Sequence, residues 1–290
     1  MRYCQINPFL RELPPLRSIV ATLPLAALLI SAPAFAQRGE SGDSITVGVG
    51  AVMMPDHEGS DDSSILPVPG ALGSIGGFNF LYLGNRLSVD LIRDGESKWD
   101  FQAGPVVSVG LNRVRLKSID DTRIRALGKQ DVAVEVGGYV GIGRWGLITS
   151  DYDRASATVT VRHDVAGSHG GTIITPTITY MTPLSEKTLV TIFASANHAD
   201  GNYARTYFSI SPTQSLASTL PVYNAESGWK DWSLGAAGNI ALTGDLRGGL
   251  SLLGGFTYTR MLNSIADSPV IAIAGSRDQW MAGVGLAYTF

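Results

Sequence analysis

The feature that most limits the fold is a period of two that recurs along the chain from residue 43 onward. Ile45, Val47, Val49, Ala51 and Met53 alternate with Thr46, Gly48 and Gly50. Ala157, Val159, Val161 and Val165 alternate with Ser156, Thr158, Thr160, Arg162 and Asp164. Toward residue 290, Trp280, Ala282, Val284, Leu286, Tyr288 and Phe290 take one side, and Met281, Gly283, Gly285, Ala287 and Thr289 the other. Successive side chains of a strand point to opposite faces, so this alternation describes a sheet with two unlike faces. Many runs extend over roughly nine to thirteen residues, longer than the five or six of a typical globular strand. That length matches the ~9–11 residues a tilted strand needs to cross a bilayer. About a dozen strands fit between turn signals such as Asp94-Gly95, Gly170-Gly171, Asp200-Gly201 and Thr243-Gly244-Asp245.

Two all-β architectures carry such a pattern. A sandwich buries its apolar faces against each other; a transmembrane barrel turns them to lipid and keeps the polar face inside. The barrel is favoured on three grounds. The second face is often Gly or Ala, in a chain with 34 glycines among 290 residues, which suits a narrow lumen. Trp99, Trp145, Trp229, Trp232, Trp280, Tyr288 and Phe290 sit near strand ends, where interfacial girdles form. Tyr288 and Phe290 close an alternating last strand, the kind of signal read by the outer-membrane assembly machinery. Charged residues make up 16% of the chain, against about 25% in soluble domains. No stretch after residue 36 offers ~18 consecutive apolar residues, so spanning helices are excluded. A net charge of -3 leaves no basic footprint for nucleic acid.

The first 36 residues read as an address. Arg2, Arg11 and Arg17 precede an apolar stretch from Ile19 to Ile30 and an Ala34-Phe35-Ala36 cleavage pattern, which describes a secretory signal peptide. The apolar stretch is short of the ~20 residues of a spanning helix. Cleavage removes the single cysteine, Cys4, and leaves residues 37–290 with no thiol chemistry. The expectation is therefore an exported, all-β, antiparallel up-and-down transmembrane barrel of about twelve strands in outer-membrane lipid.

Three ordered blocks make the reading more specific. The first runs Gly50-Ala-Val-Met-Met-Pro-Asp-His-Glu-Gly-Ser-Asp-Asp62 and continues with Leu66-Pro-Val-Pro69. The second is Tyr207-Phe-Ser-Ile-Ser-Pro-Thr-Gln-Ser215, then Leu220-Pro-Val-Tyr223 and Gly228. The third is Ala266-Asp-Ser-Pro-Val270 with Gly275-Ser276 and Gln279, leading to Gly285-Leu-Ala-Tyr-Thr-Phe290. Together they resemble the MipA/OmpV family, also called MltA-interacting protein. The chain departs from the usual pattern at His57, where an aromatic is common, and at Ser63, where a Tyr is frequent. The resemblance implies an outer-membrane β-barrel. For one founding member it implies a non-enzymatic scaffold joining a lytic transglycosylase to a bifunctional penicillin-binding protein in peptidoglycan remodelling. Other members are described as surface antigens, stress-related proteins or candidate solute channels. The family positions carried over as interaction candidates are Pro55, Asp56, Glu58, Gly59, Ser60, Asp61 and Asp62, with Ser211, Pro212, Gln214, Ser215, Asp267, Ser268 and Pro269.

The residues themselves offer several chemistries. Asp56, His57, Glu58, Asp61 and Asp62 could supply oxygen and nitrogen ligands to a cation, form a solvated acidic turn, or tuck into the lumen against Arg162 or Arg247. Their spacing fits no EF-hand loop. A hydrolase would need Ser, His and an acid in contact. His163 and Ser156 share a strand but lie about 23 Å apart along it, and His169 and His198 have no motif placing them beside a serine. No catalytic residue, metal or cofactor is expected. By alternation Arg86, Asp90, Asp100, Asp131 and Glu135 point into the lumen, as do Arg162, Asp164, Asp231 and Arg247. Their mixed signs favour cross-lumen pairs over a selective constriction, which usually shows one sign. The segment Tyr203 to Gly228 breaks the alternation and is expected to be a long connection, a candidate partner surface.

Overall fold

The structure is a computed structural model that describes residues 43–290 apart from Asp94 and Glu96. The expected signal peptide, with Cys4, and the first half of the Asp94-Gly95 turn lie outside the described residues. Among the described residues twelve antiparallel strands close into one barrel, each paired with its neighbours in sequence. They are β1 (Ser44–Pro55), β2 (Ser63–Ile75), β3 (Phe78–Leu83), β4 (Arg86–Val89), β5 (Trp99–Gly110), β6 (Ala133–Trp145), β7 (Arg154–Asp164), β8 (Thr172–Ser185), β9 (Thr188–Ala199), β10 (Gly228–Ala241), β11 (Gly249–Met261) and β12 (Asp278–Thr289). The seam is closed by β1 on β12, where Thr46 faces Thr289 and Met53 faces Ala282. No described helix is long and apolar enough to cross a membrane.

The two faces follow the alternation. Val49, Val140 and Ile178 stand on the outside at 60%, 63% and 64% exposure, while Thr46, Glu135 and Thr175 on the same strands are buried inside. An apolar outer surface of this extent is stable only against hydrocarbon, so the barrel interior, and not a second sheet, receives the polar face. Aromatic rings mark both rims of the outer wall. Trp232, Tyr258 and Trp280 form one contiguous group, with Trp229 near it at the same rim. Tyr288 and Phe290 stack 4.9 Å apart at the other. Trp145 departs from the expected girdle. It falls in the inward register of β6, lines the lumen, and lies under the Arg154 guanidinium at 5.6 Å.

The wall is uneven in height. β3 and β4 form a short hairpin that meets β2 only from Gly70 downward. Above its Gly84-Asn85 turn, β2 from Ser63 to Val68 has β1 on one side and, among the described residues, no strand on the other. Gly84 N donates to Pro69 O, so the backbone of Pro67, two residues further up, turns to the free edge on the same side. Proline there removes the donors that would recruit another strand.

Strand parity, which the alternation leaves open, is settled by closure. β1 begins and β12 ends at one rim. That rim carries the shorter connections, at 76–77, 90–98, 146–153, 186–187 and 242–248. The opposite rim carries 56–62, 111–132, 165–171, 200–227 and 262–277. Five short helices fold within these longer loops: α1 (Thr122–Ala126), α2 (Gly201–Phe208), α3 (Pro212–Ser218), α4 (Asn263–Asp267) and α5 (Pro269–Ala272). Asp200-Gly201, read from sequence as a turn, starts α2 instead. The Asp200 carboxylate accepts from the Asn202 and Tyr203 amides, an N-cap that satisfies two free donors. Ser211-Pro212-Thr213-Gln214 is a reciprocal capping box that starts α3.

Candidate functional site

The long loops build a second hydrophobic core over one mouth of the barrel. Tyr203, Ala204, Tyr207 and Phe208 on one face of α2 meet Ile119 and Ile124 of the 111–132 loop, and Ile265, Val270 and Ile271 of the 262–277 loop. Phe208, Ile124 and Ala204 are wholly buried. Fully burying such a side chain stabilises by about 1.5–3 kcal/mol, so the loops form a packed cap. The segment Tyr203 to Gly228 is thus a long connection as expected, but its aromatic side chains point into the cap.

Beneath this core lies a charged layer. Glu58, at the middle of the 56–62 loop, is buried and paired with Lys230, and the Tyr203 hydroxyl donates to its other oxygen at 2.6 Å. Lys230 also meets Asp231 at 3.1 Å. Asn197 donates to Asp231 at 2.7 Å and accepts from Thr175 at 2.7 Å. Two charged neighbours, Lys230 and Asp231, can both face inward because the pairing of β10 with β9 slips between Trp229 and Asp231. A bulge re-aims one side chain in this way. Simple alternation places Lys230 outside, so the sequence reading missed it. Burial and the neighbouring Glu58 carboxylate hold the Tyr203 hydroxyl well above the ordinary phenol range, which keeps it a donor.

The three sequence blocks converge here. Gly59 has φ +89°, and a Cβ on it would lie 2.5 Å from Ile271 Cγ1, so only glycine fits. Its carbonyl accepts from Ser276 N at 2.9 Å, and Ser60 O accepts from the Gln279 amide at 3.0 Å. The Ser268 hydroxyl, wholly buried, donates to Phe208 O at 2.6 Å. Pro269 is buried beside it, whereas Asp267 is exposed and pairs with Arg277 at 2.6 Å. Gln214 ties α3 to Leu127 O at 2.9 Å; Ser211, Pro212 and Ser215 belong to the α3 cap and first turns.

The acidic block does not act as a unit. Among the described residues no group of three His, Cys, Asp or Glu side chains converges to hold a metal ion. Pro55, Asp56, His57, Glu58 and Ser60 are buried, whereas Asp61 and Asp62 are exposed. Asp56 accepts from the Ser64 hydroxyl, and burial pushes its carboxyl up. The block does tuck into the mouth, but its partner is Lys230, not Arg162 or Arg247. Arg162 pairs with Glu135 at 2.5 Å, which also accepts from Ser108 and approaches His169 at 3.4 Å. Arg247 sits exposed in the 242–248 turn and Asp131 in the 111–132 loop, where neither reaches the lumen. Two further cap groups escaped the sequence reading as a pair. Arg113 is buried with φ +54° and donates to Thr206 O at 3.0 Å, leaving Nε and Nη1 without a hydrogen-bond partner. Burial brings its guanidinium down to about 10. Burial, with Arg113 adding to it, pushes the His57 imidazole down to about 4.

Below the cap the lumen holds a cavity of about 320 Å³. Its walls differ. On one side Leu72, Leu83 and Met281 border it, and next to them Val52, Leu66, Val68 and Leu253 of β1, β2 and β11 pack with Met281 into an apolar cluster. β7 and β8 present Ser156, Thr158, Thr160, Thr175, Thr177 and Thr179. Toward the short-turn rim Asp100 pairs with Arg154 and accepts from Gln102. His163 lies outside, near the end of β7, with its Nδ1 3.0 Å from Thr172 Oγ1. Among the described residues no serine hydroxyl is hydrogen-bonded to a histidine ring.

A sequence model of the family described as MltA-interacting protein MipA matches residues 47–290. No curated protein matches the chain. Among solved structures, an outer membrane channel from Pseudomonas putida F1 is similar with a TM-score of 0.45 and 14% identity, over 87% of this chain and 96% of that one. The Pseudomonas putida toluene transporter TodX gives 0.39 and 11%, over 94% of each chain. The CymD monoaromatic hydrocarbon channel gives 0.42 and 9%, over 92% of this chain and 93% of that one.

Proposed function

This chain belongs to the MltA-interacting protein (MipA) family of outer-membrane barrels, and on that premise we propose that it is a non-enzymatic scaffold whose short-turn rim receives a lytic transglycosylase and a penicillin-binding protein. Bacterial outer-membrane barrels carry short turns on the periplasmic side and longer loops outside. The short-turn rim then faces the cell wall, and the capped mouth faces outward. On this reading the segment Tyr203 to Gly228 lies at the outward rim, and the murein-side partner surface is assigned to the short turns instead.

The observation that carries this reading is the 146–153 turn. Asp153 is completely buried and accepts from the amides of Leu147 at 2.6 Å and Ile148 at 2.8 Å, from that of Thr149, and from the Tyr180 hydroxyl at 2.8 Å. Burial alone would raise this carboxyl, yet those donors hold it well below the usual carboxylate range. The carboxylate thereby fixes a turn that leaves Leu147, Ile148 and Tyr152 exposed beyond the ends of β6 and β7. A preorganised apolar projection suits a contact surface. The test uses the barrel in lipid nanodiscs, immobilised, with purified lytic transglycosylase and bifunctional penicillin-binding protein. Retention is expected, lost on Ile148→Asp and kept on Leu216→Asp at the opposite rim. Failure of the wild-type barrel to retain either enzyme overturns the reading.

The lumenal cavity favours a second reading, a narrow channel for small solutes. Planar-bilayer recording separates the two. Discrete conductance that changes on Glu135→Ala supports a channel, and electrical silence supports the capped scaffold.

A further inference from the structure

Among the described residues, the other two arginines that line the lumenal cavity, and the lysine in the charged layer above it, each have a carboxylate against them. Arg154 has Asp100, Arg162 has Glu135, and Lys230 has Glu58 and Asp231. Arg86 does not. It is the first residue of β4, just past the Gly84-Asn85 turn of the half-height hairpin, and its guanidinium projects into the cavity. Its one hydrogen bond is long, 3.4 Å to Thr160 Oγ1 on β7. Among the described residues no carboxylate lies within ion-pair distance of it. The nearby Glu135 is already engaged by Arg162 and Ser108.

We propose that the lumen is a binding site for a small organic carboxylate, with Arg86 as its clamp. A half-buried guanidinium that lines a cavity with no carboxylate against it favours an incoming anion. The flat guanidinium fork matches a carboxylate through two parallel N–H donors. Hydroxyls at Thr158 and Thr160 border the same space and add neutral donors. The rest of the lining specifies the body of the ligand: Leu72, Leu83, Met181 and Met281 line the cavity as well. An inorganic anion would leave these side chains against water, and a hydrocarbon would leave Arg86 without a counter-charge. A carboxylate carrying a compact apolar group answers both. The volume of about 320 Å³ falls at the lower end of small-molecule pockets, which excludes long acyl chains. The inference is independent of whether the short-turn rim docks an enzyme and of whether the barrel conducts.

The test is calorimetric titration of the nanodisc-embedded full barrel with benzoate and hexanoate, against benzyl alcohol, hexanol and inorganic phosphate. The carboxylates are expected to bind about tenfold or more tightly than the alcohols of the same shape, the margin of a charge-assisted hydrogen bond. Arg86→Gln should abolish that preference without lowering the thermal stability of the ligand-free barrel, and Arg86→Lys should restore part of it. Equal affinity for alcohol and carboxylate in the wild-type protein overturns the proposal without any variant. So does phosphate binding as tightly as benzoate, an unaltered preference in Arg86→Gln, or no binding of either carboxylate at millimolar concentration.

Discussion

The Tyr203 hydroxyl donates to Glu58 Oε2 at 2.6 Å, joining the first loop of the barrel to the helix that opens its longest one. Glu58 pairs on its other oxygen with Lys230, which sits 5.4 Å from the Tyr203 ring. The mouth is therefore sealed by a buried acid on one connection whose partners come from a second connection and from β10. Removing one member of such a group strands the others in low dielectric. Lys230→Met leaves Glu58 and Asp231 without their cation and should cost about 3–5 kcal/mol. Tyr203→Phe, which removes one donor, should cost about 1–3 kcal/mol. Urea unfolding of the lipid-embedded protein measures both, and equal small losses would argue against the charged layer.

The cap should loosen in acid through His57. Its folded pKa is pushed down to about 4 by burial, with Arg113 reinforcing and Asp121 opposing the shift. In the unfolded chain it protonates near 6.5. The unfolded state thus takes up the proton first, and stability is full above pH 6.5. It falls between there and about 4 by up to about 3 kcal/mol, and His57 adds no further change below that. Proteolytic nicking of the 200–227 loop, followed from pH 7.5 to 4.5, should rise in the wild type and stay flat in His57→Phe.

Gly59→Ala tests the joint between the first and third sequence blocks. The substitution places a Cβ against Ile271 and holds a non-glycine residue at φ +89°. Such strain costs about 1–3 kcal/mol. The loss should appear in the same loop-nicking assay while the strand content seen by circular dichroism is unchanged.

Val140→Arg tests which face meets lipid. Val140 lies mid-strand on the outer wall at 63% exposure. An arginine near the bilayer midplane of a barrel costs about 2–4 kcal/mol. Unfolding from lipid vesicles should register that loss, whereas a protein that stays dispersed without detergent would contradict the barrel reading at its base.

The alternation of Ile45 to Met53, of Ala157 to Val165 and of Trp280 to Phe290 was enough to fix strand identity, length and the division into two faces. Side-chain direction in a strand is a local consequence of backbone geometry. The three blocks were legible as a family pattern for the same reason: each is contiguous in the chain. What no local rule supplied was the meeting of those blocks. Gly59 against Ile271, Glu58 on Lys230 and Tyr203, and Ser268 on Phe208 depend on closure of β1 onto β12, which brings loops far apart in sequence over one mouth. Lys230 and Trp145 show the limit most plainly. A one-residue slip in β10 turned the lysine inward, and inward register on β6 put the tryptophan in the lumen beside Arg154. Periodicity reports the face of a residue only while register holds, and register is a property of paired strands. Alternation does not give the direction of Asp131 and Arg247, because both precede the first residues of β6 and β11 and no ladder enforces it there.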